Sequence, residues 1–147
     1  MIEYVRGRDV RAETQREQGM ALMVGMRGDA SLLVTERETA DAVGAGGVRV
    51  FGTPMMIGLM ENAAWRLVQA ELAEGETTVG TLVNVRHLAA TPVGATVTAT
   101  AELVEIDNRR LVFRVSAHDE RQLIGEGTHE RARVQLDRFL ARVNAPA

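Results

Sequence analysis

An α+β fold, with one long helix held inside a curled antiparallel sheet, is what the sequence predicts. Three observations carry this: an apolar segment opening at Thr53-Pro54, two alternating strands joined by a tight turn at Asp107-Asn108, and a long run of strand-forming sequence with only one apolar helix available to cover it.

The helix is expected from Thr53 to about Leu72. Thr supplies an N-cap oxygen and Pro suits the first helical position, where its missing N–H costs nothing. Met56, Met60, Ala63, Leu67 and Ala70 recur at spacings of three and four, and Ile57, Leu59, Ala64 and Trp65 widen the apolar coat. Such a helix calls for burial on more than one side. Glu71 to Gly75 ends it.

Before the helix, Leu32-Leu33-Val34 reads as a strand after a turn at Gly28-Asp29, and Gly44-Ala45-Gly46-Gly47 reads as a loop. After it, Thr78 to Leu88 is rich in β-branched residues. Val97, Ala99, Ala101 and Leu103 then alternate with polar residues, as do Leu111, Phe113, Val115 and Ala117, and a last strand runs from about Gln122 to Leu136. Four successive antiparallel strands have one face to cover, so they should wrap the helix; this is the hotdog arrangement. An open sheet of this kind leaves an edge strand bare, and pairing in a homodimer, or a higher homo-oligomer, is the expected remedy.

Residues 1–19 hold many charges and no apolar periodicity, and are expected to be a flexible N-terminal arm ahead of a single domain over 20–147. The longest apolar run, Met20 to Met26, is too short to span a bilayer, and Met1 to Arg6 has none of the features of a secretory signal. A cytoplasmic protein with no membrane partner is expected. A net charge of −3 and 3% aromatic residues argue against nucleic acid as a partner.

Composition also narrows the chemistry. There is no cysteine and no lysine, which removes thiol nucleophiles, thiolate metal sites, P-loop lysines and Schiff bases. Ser31 and Ser116 lie outside any Gly-x-Ser-x-Gly elbow. Hydrolysis would have to run on Thr, Glu, Asp and His. Three scattered histidines argue against a metal site, and no cofactor is expected.

Glu61 stands out because its helical neighbours are Ile57, Gly58, Ala64 and Trp65, so a carboxyl group projects into largely apolar surroundings. Burial would raise its pKa toward that of a useful acid, base or nucleophile; the alternative is a solvent-edge residue or an arginine pair. Thr53 is an N-cap on spacing alone, although the positive end of the helix would also favour a developing oxyanion. His87 closes an apolar strand, where a satisfied core histidine is the usual finding. His118 reads as a solvated turn residue, and His129-Glu130 lacks the second histidine of a zinc motif.

Taken together, Phe51 to Ala64, Gly80-Thr81, Val85 to Pro92 and Gly125 to Arg131 closely resemble the fluoroacetyl-CoA thioesterase family, over roughly Phe51 to Val143. The resemblance implies a hotdog acyl-CoA thioesterase in which Thr53, Glu61 and His87 are catalytic and Gly80 and Arg131 contact the substrate, with coenzyme A entering only as part of that substrate. Family members specific for fluoroacetyl-CoA carry a phenylalanine lid shortly before the threonine. Here the stretch is Gly46-Gly47-Val48-Arg49, with Phe51 nearer to Thr53, so a general short-chain or otherwise toxic acyl-CoA, fluoroacetyl-like ones included, is the expected substrate. The rival readings are a non-catalytic acyl-CoA-binding module and an enoyl-CoA hydratase of the same fold. The hydratase pattern of an Asp five residues before a His is missing, since Leu82, Phe113 and Ile124 hold those positions.

Overall fold

The computed structural model describes residues 1–7 and 22–147. Six strands form one antiparallel sheet: β1 (Ile2–Arg6), β2 (Arg27–Leu33), β3 (Glu76–His87), β4 (Thr96–Asp107), β5 (Arg110–His118) and β6 (Leu123–Gln135). Their spatial order is β1-β2-β4-β5-β6-β3. The long helix α1 (Thr53–Gln69) lies between β2 and β3 in sequence, and a short helix α2 (Leu136–Val143) follows β6. The sheet wraps α1, as the pattern of residues predicts.

The alternation read in the two central strands is the alternation that packs. Val97, Ala99, Ala101 and Leu103 of β4, and Leu111, Phe113, Val115 and Ala117 of β5, are all buried. Against them lie Met56, Leu59, Met60, Ala63, Ala64, Leu67 and Val68 of α1. Alanines at 63 and 64 on the helix and at 99 and 101 on β4 keep both surfaces low, so the helix can sit close to the sheet. Each larger side chain buried here contributes about 1.5–3 kcal/mol.

Four expectations are corrected. First, the four strands after α1 are not a simple meander: β4, β5 and β6 are, but β3 pairs with β6, because β4's other side is taken by β2. Second, Ile2–Arg6 is not a free arm. It pairs with β2, Ile2 and Tyr4 pack against the core, and Arg6 meets Glu71 at 2.8 Å. Residues 8–21, which hold the rest of the expected arm and the start of the apolar run, lie outside the described residues. Third, Gly28 belongs to β2 rather than to a turn; a Cβ there would fall 2.3 Å from the Tyr4 hydroxyl, so glycine makes room for that ring. Fourth, α1 ends at Gln69, and α2, with no buried residue, was not foreseen.

The wrapping leaves one side of α1 open. Gly58 and Trp65 are exposed there, and Glu61 and Asn62 are half-buried. Next to this side runs β3, which among the described residues pairs along one edge only and exposes Leu82 and Val83.

Candidate active site

The five residues singled out above fall into two groups: Thr53 and Glu61 on α1, Gly80 and His87 on β3 beside it, and Arg131 on the next strand, β6. At the helix start, Gly52 and not Thr53 takes the N-cap position, and no side chain caps the helix. Thr53 is instead the first helical residue, which frees its hydroxyl to hydrogen-bond His87 Nδ1 at 2.7 Å. Burial pushes the His87 pKa below its ordinary 6.5, with a backbone hydrogen bond to Ala89 partly opposing, so the ring is a neutral imidazole at physiological pH. Its Nε2 is buried and meets no hydrogen-bond partner among the described residues. The pair opens on a cavity of about 400 Å³ lined by Val48, Val50, Phe51, Leu88 and Ala89.

Two turns further along α1, Glu61 enters a denser set of contacts. Its Oε2 accepts from Arg131 Nη1 at 3.2 Å. Arg131 is buried and fully engaged: Nε donates to Thr78 Oγ1 at 2.8 Å, Nη2 to the Thr78 carbonyl at 3.0 Å, and Nη1 also reaches His129 Nε2 at 3.2 Å. His129 is buried, and burial above all depresses its pKa, so a neutral ring donates from Nδ1 to the Leu82 carbonyl at 2.8 Å and accepts at Nε2. Its Nε2 lies 3.8 Å from Glu61 Oε2.

Gly80 explains how a carboxylate fits against the strand. A Cβ at this position would lie 2.5 Å from Glu61 Oε2, so any side chain would drive the carboxylate away. The strand is also irregular here, with the β3–β6 register shifting between Gly80 and Leu82, a bulge of the kind that re-aims groups beside functional sites.

Thus the structure joins Thr53 to His87, and Glu61 to Gly80 and Arg131. It does not join the two groups within one chain: eight residues of helix, about 12 Å of rise, separate Thr53 from Glu61. Thr53 therefore meets His87 and not Glu61. Glu61 meets an arginine and a histidine rather than purely apolar surroundings. His129 and Thr78 were missed, although His129 and Arg131, two apart on one strand, had to share a face. In the stretch before Thr53, Phe51 is buried in the core, while Val48 is exposed and a Cβ on Gly47 would meet nothing within 4 Å.

A sheet of this order wrapped on one helix is the fold of the hotdog thioesterases, and solved structures of one of them superpose on the chain. The fluoroacetyl-CoA thioesterase FlK matches with a TM-score of 0.80 at 43% identity, covering 85% of this chain and 98% of the other. A phenylalanine-to-alanine variant of FlK in complex with fluoroacetate and CoA matches with a TM-score of 0.77 at 44% identity, covering 80% and 99%. The fluoroacetyl-CoA thioesterase of Streptantibioticus cattleyicolor is 53% identical over 94 residues, 64% of this chain and 68% of its own length. The family model described as FlK, fluoroacetyl-CoA-specific thioesterase, matches residues 34–137. The chain belongs to the fluoroacetyl-CoA-specific thioesterase family.

Proposed function

We infer that the protein hydrolyses a short-chain acyl-CoA to the free acid and CoA, at a site assembled between two copies of the chain. One observation carries the reading: the Glu61 carboxylate is held at Oε2 by buried Arg131 against a glycine that leaves it room, while the imidazole that should work with it stands at the other end of the same edge strand.

Along β3, Gly80 lies beside Glu61 and His87 beside Thr53. Antiparallel pairing of β3 with β3 of a second copy, about a two-fold axis near Val83 and Asn84, exchanges these ends. It brings the Thr53–His87 pair of one copy to the Glu61 group of the other, and covers the exposed Leu82 and Val83. The thioester then lies between them. Glu61 Oε1 supplies the oxygen nucleophile, either directly or by taking a proton from water. Neutral His87, fixed through Nδ1 by Thr53, accepts at Nε2 the proton that water releases in either route, and the imidazolium so formed delivers it to the departing thiolate, leaving free acid and thiol. Arg131 and backbone N–H groups near Gly80 or the helix start face the developing oxyanion. The reaction needs no cofactor beyond the CoA of the substrate. Among the described residues no helix is long and apolar enough to cross a membrane, and the cytoplasm, where acyl-CoA is made and used, is the proposed site of action.

The open, phenylalanine-free stretch over the 400 Å³ cavity supports a general short acyl group rather than fluoroacetyl alone. Thiol release across a panel of acyl-CoAs tests the reaction. Turnover is expected with acetyl and slightly longer groups, and binding without any release would establish a non-catalytic module instead. Glu61→Gln should lower kcat by about 10²–10⁴. Mixing Glu61→Gln with His87→Ala subunits tests the shared site: both are inactive alone, and statistical exchange should restore roughly a quarter of wild-type activity, because half the dimers carry one intact site of two. No recovery despite confirmed exchange would place the whole site in one chain.

A further inference from the structure

Beyond Gly80, at the Glu76 end of β3, lies a second cleft that the catalytic scheme does not use. Its volume is about 430 Å³, and it is lined by Arg109 and Asn108 from the β4–β5 turn, Arg133 from β6, and Arg138, Phe139 and Arg142 from α2. Four guanidinium groups face one carboxylate, Glu76, which already binds Arg133 Nη2 at 3.2 and 3.3 Å. The Nε of Arg133 is buried and finds no hydrogen-bond partner among the described residues. Arg138 and Arg142 sit one helical turn apart on the same face of α2, and among the described residues neither side chain has a carboxylate partner. In a chain whose net charge is −3, this is a local excess of positive charge held in a concave, partly apolar setting.

We propose that this cleft binds the phosphate groups at the nucleotide end of acyl-CoA. The inference rests on the thioesterase reading for the source of the phosphates, while the cleft's preference for a phosphorylated nucleotide stands on its own chemistry. Guanidinium forks match phosphate oxygens in pairs, and bringing Arg138 and Arg142 together is repulsive until an anion lies between them. Phe139 offers the aromatic surface on which a base can stack. The position fits as well. Arg131, which holds Glu61, and Arg133, which opens the cleft, are two apart on β6 and face the same side, about 7 Å apart along the strand. From Gly80 to Glu76 β3 advances four residues, about 13 Å, so an extended pantetheine arm can join a thioester at Glu61 to phosphates at α2.

Calorimetric titration of the full chain with adenosine 3′,5′-bisphosphate tests the cleft without turnover. Wild type and Arg121→Gln, a control on an exposed turn, should bind alike, and Arg138→Gln/Arg142→Gln should bind at least tenfold more weakly. Arg138→Lys/Arg142→Lys, which keeps the charge, should retain part of the affinity. Inorganic phosphate binding as tightly as the nucleotide would overturn the nucleotide assignment, and unchanged affinity in the glutamine pair would overturn the cleft itself.

In the kinetic arm, the glutamine pair should raise KM for acetyl-CoA at least tenfold and shrink the wild-type preference for acetyl-CoA over acetyl-pantetheine, which has no phosphate of the nucleotide. An unchanged preference would overturn the link to the substrate. If wild type releases thiol from neither compound, the thioesterase reading fails, and the titration still decides what the cleft binds.

Discussion

The start and the middle of α1 place functional side chains by opposite means. At the start, the contact with the Thr53 hydroxyl fixes His87 at Nδ1, and Nε2 meets no hydrogen-bond partner among the described residues. In the middle, Glu61 is the outermost member of a saturated network in which Arg131 contacts Thr78 twice and His129 once. A saturated network holds a group still, whereas a half-satisfied one has capacity left for a substrate or a second chain. In the proposed scheme the Glu61 side holds a nucleophile or base still, and the His87 side moves the proton.

The comparison breaks most sharply at Gly80. If Glu61 works only where Gly80 lets it lie, Gly80→Ala should lower kcat about 10²-fold or more, since a displacement of about 1 Å is enough for such a loss. Here the new Cβ would stand 2.5 Å from the carboxylate oxygen. Steady-state kinetics beside a thermal melt checks this: unchanged kcat in a folded variant would remove the cradle from the mechanism.

Thr53 should matter less. Thr53→Val removes one neutral hydrogen bond, about 0.5–1.5 kcal/mol, so a loss of up to about tenfold is expected, with Thr53→Ser retaining most activity. A much larger loss would mean that the hydroxyl contacts the substrate. The pH profile sharpens the same point. Burial lowers the folded pKa of His87 below 6.5, so the neutral ring persists under that pH. The acid limb of kcat/KM should therefore fall below 6.5, and stability, full above 6.5, should decline as pH drops toward the depressed folded value, because the unfolded chain then binds the extra proton. An acid limb above 6.5 would assign it to another group.

How much of this the sequence disclosed depends on how local each signal is. The Thr53-Pro54 start and the alternation in β4 and β5 are properties of neighbouring residues, and they are legible. The place of β3 beside β6 is not, because it follows from which edge remains after β2 has taken its own. Ile2–Arg6 hides because the strand is short and carries a charge on each face, Glu3 on the exposed one and Arg6 on the other. Thr53, Glu61, His87, Gly80 and Arg131 could be named from the family resemblance, yet nothing in their spacing reveals that they divide into two groups. His129 could not be given a role alone because its meaning comes from Arg131, whose guanidinium needs the lone pair that a neutral ring offers. The amphipathic order of Leu136, Phe139, Leu140 and Val143 could have disclosed α2, had the last strand not been read to Leu136.

The mildest test concerns the open side of α1. Gly58 is helical and exposed, and a Cβ there would meet nothing within 4 Å in a single chain. Glycine inside a helix is less stable than alanine by about 0.5–1 kcal/mol. In an isolated chain Gly58→Ala should therefore raise the denaturant midpoint. The groove beside it, about 250 Å³ between Glu61, Asn62, Trp65 and Arg131, is also where the proposed second copy would bring its helix-start pair. If the methyl group has to share that space, the gain shrinks or reverses, and it does so only at protein concentrations where the dimer forms. A midpoint that rises equally at all concentrations would leave this side of the helix facing solvent and count against a site built from two chains.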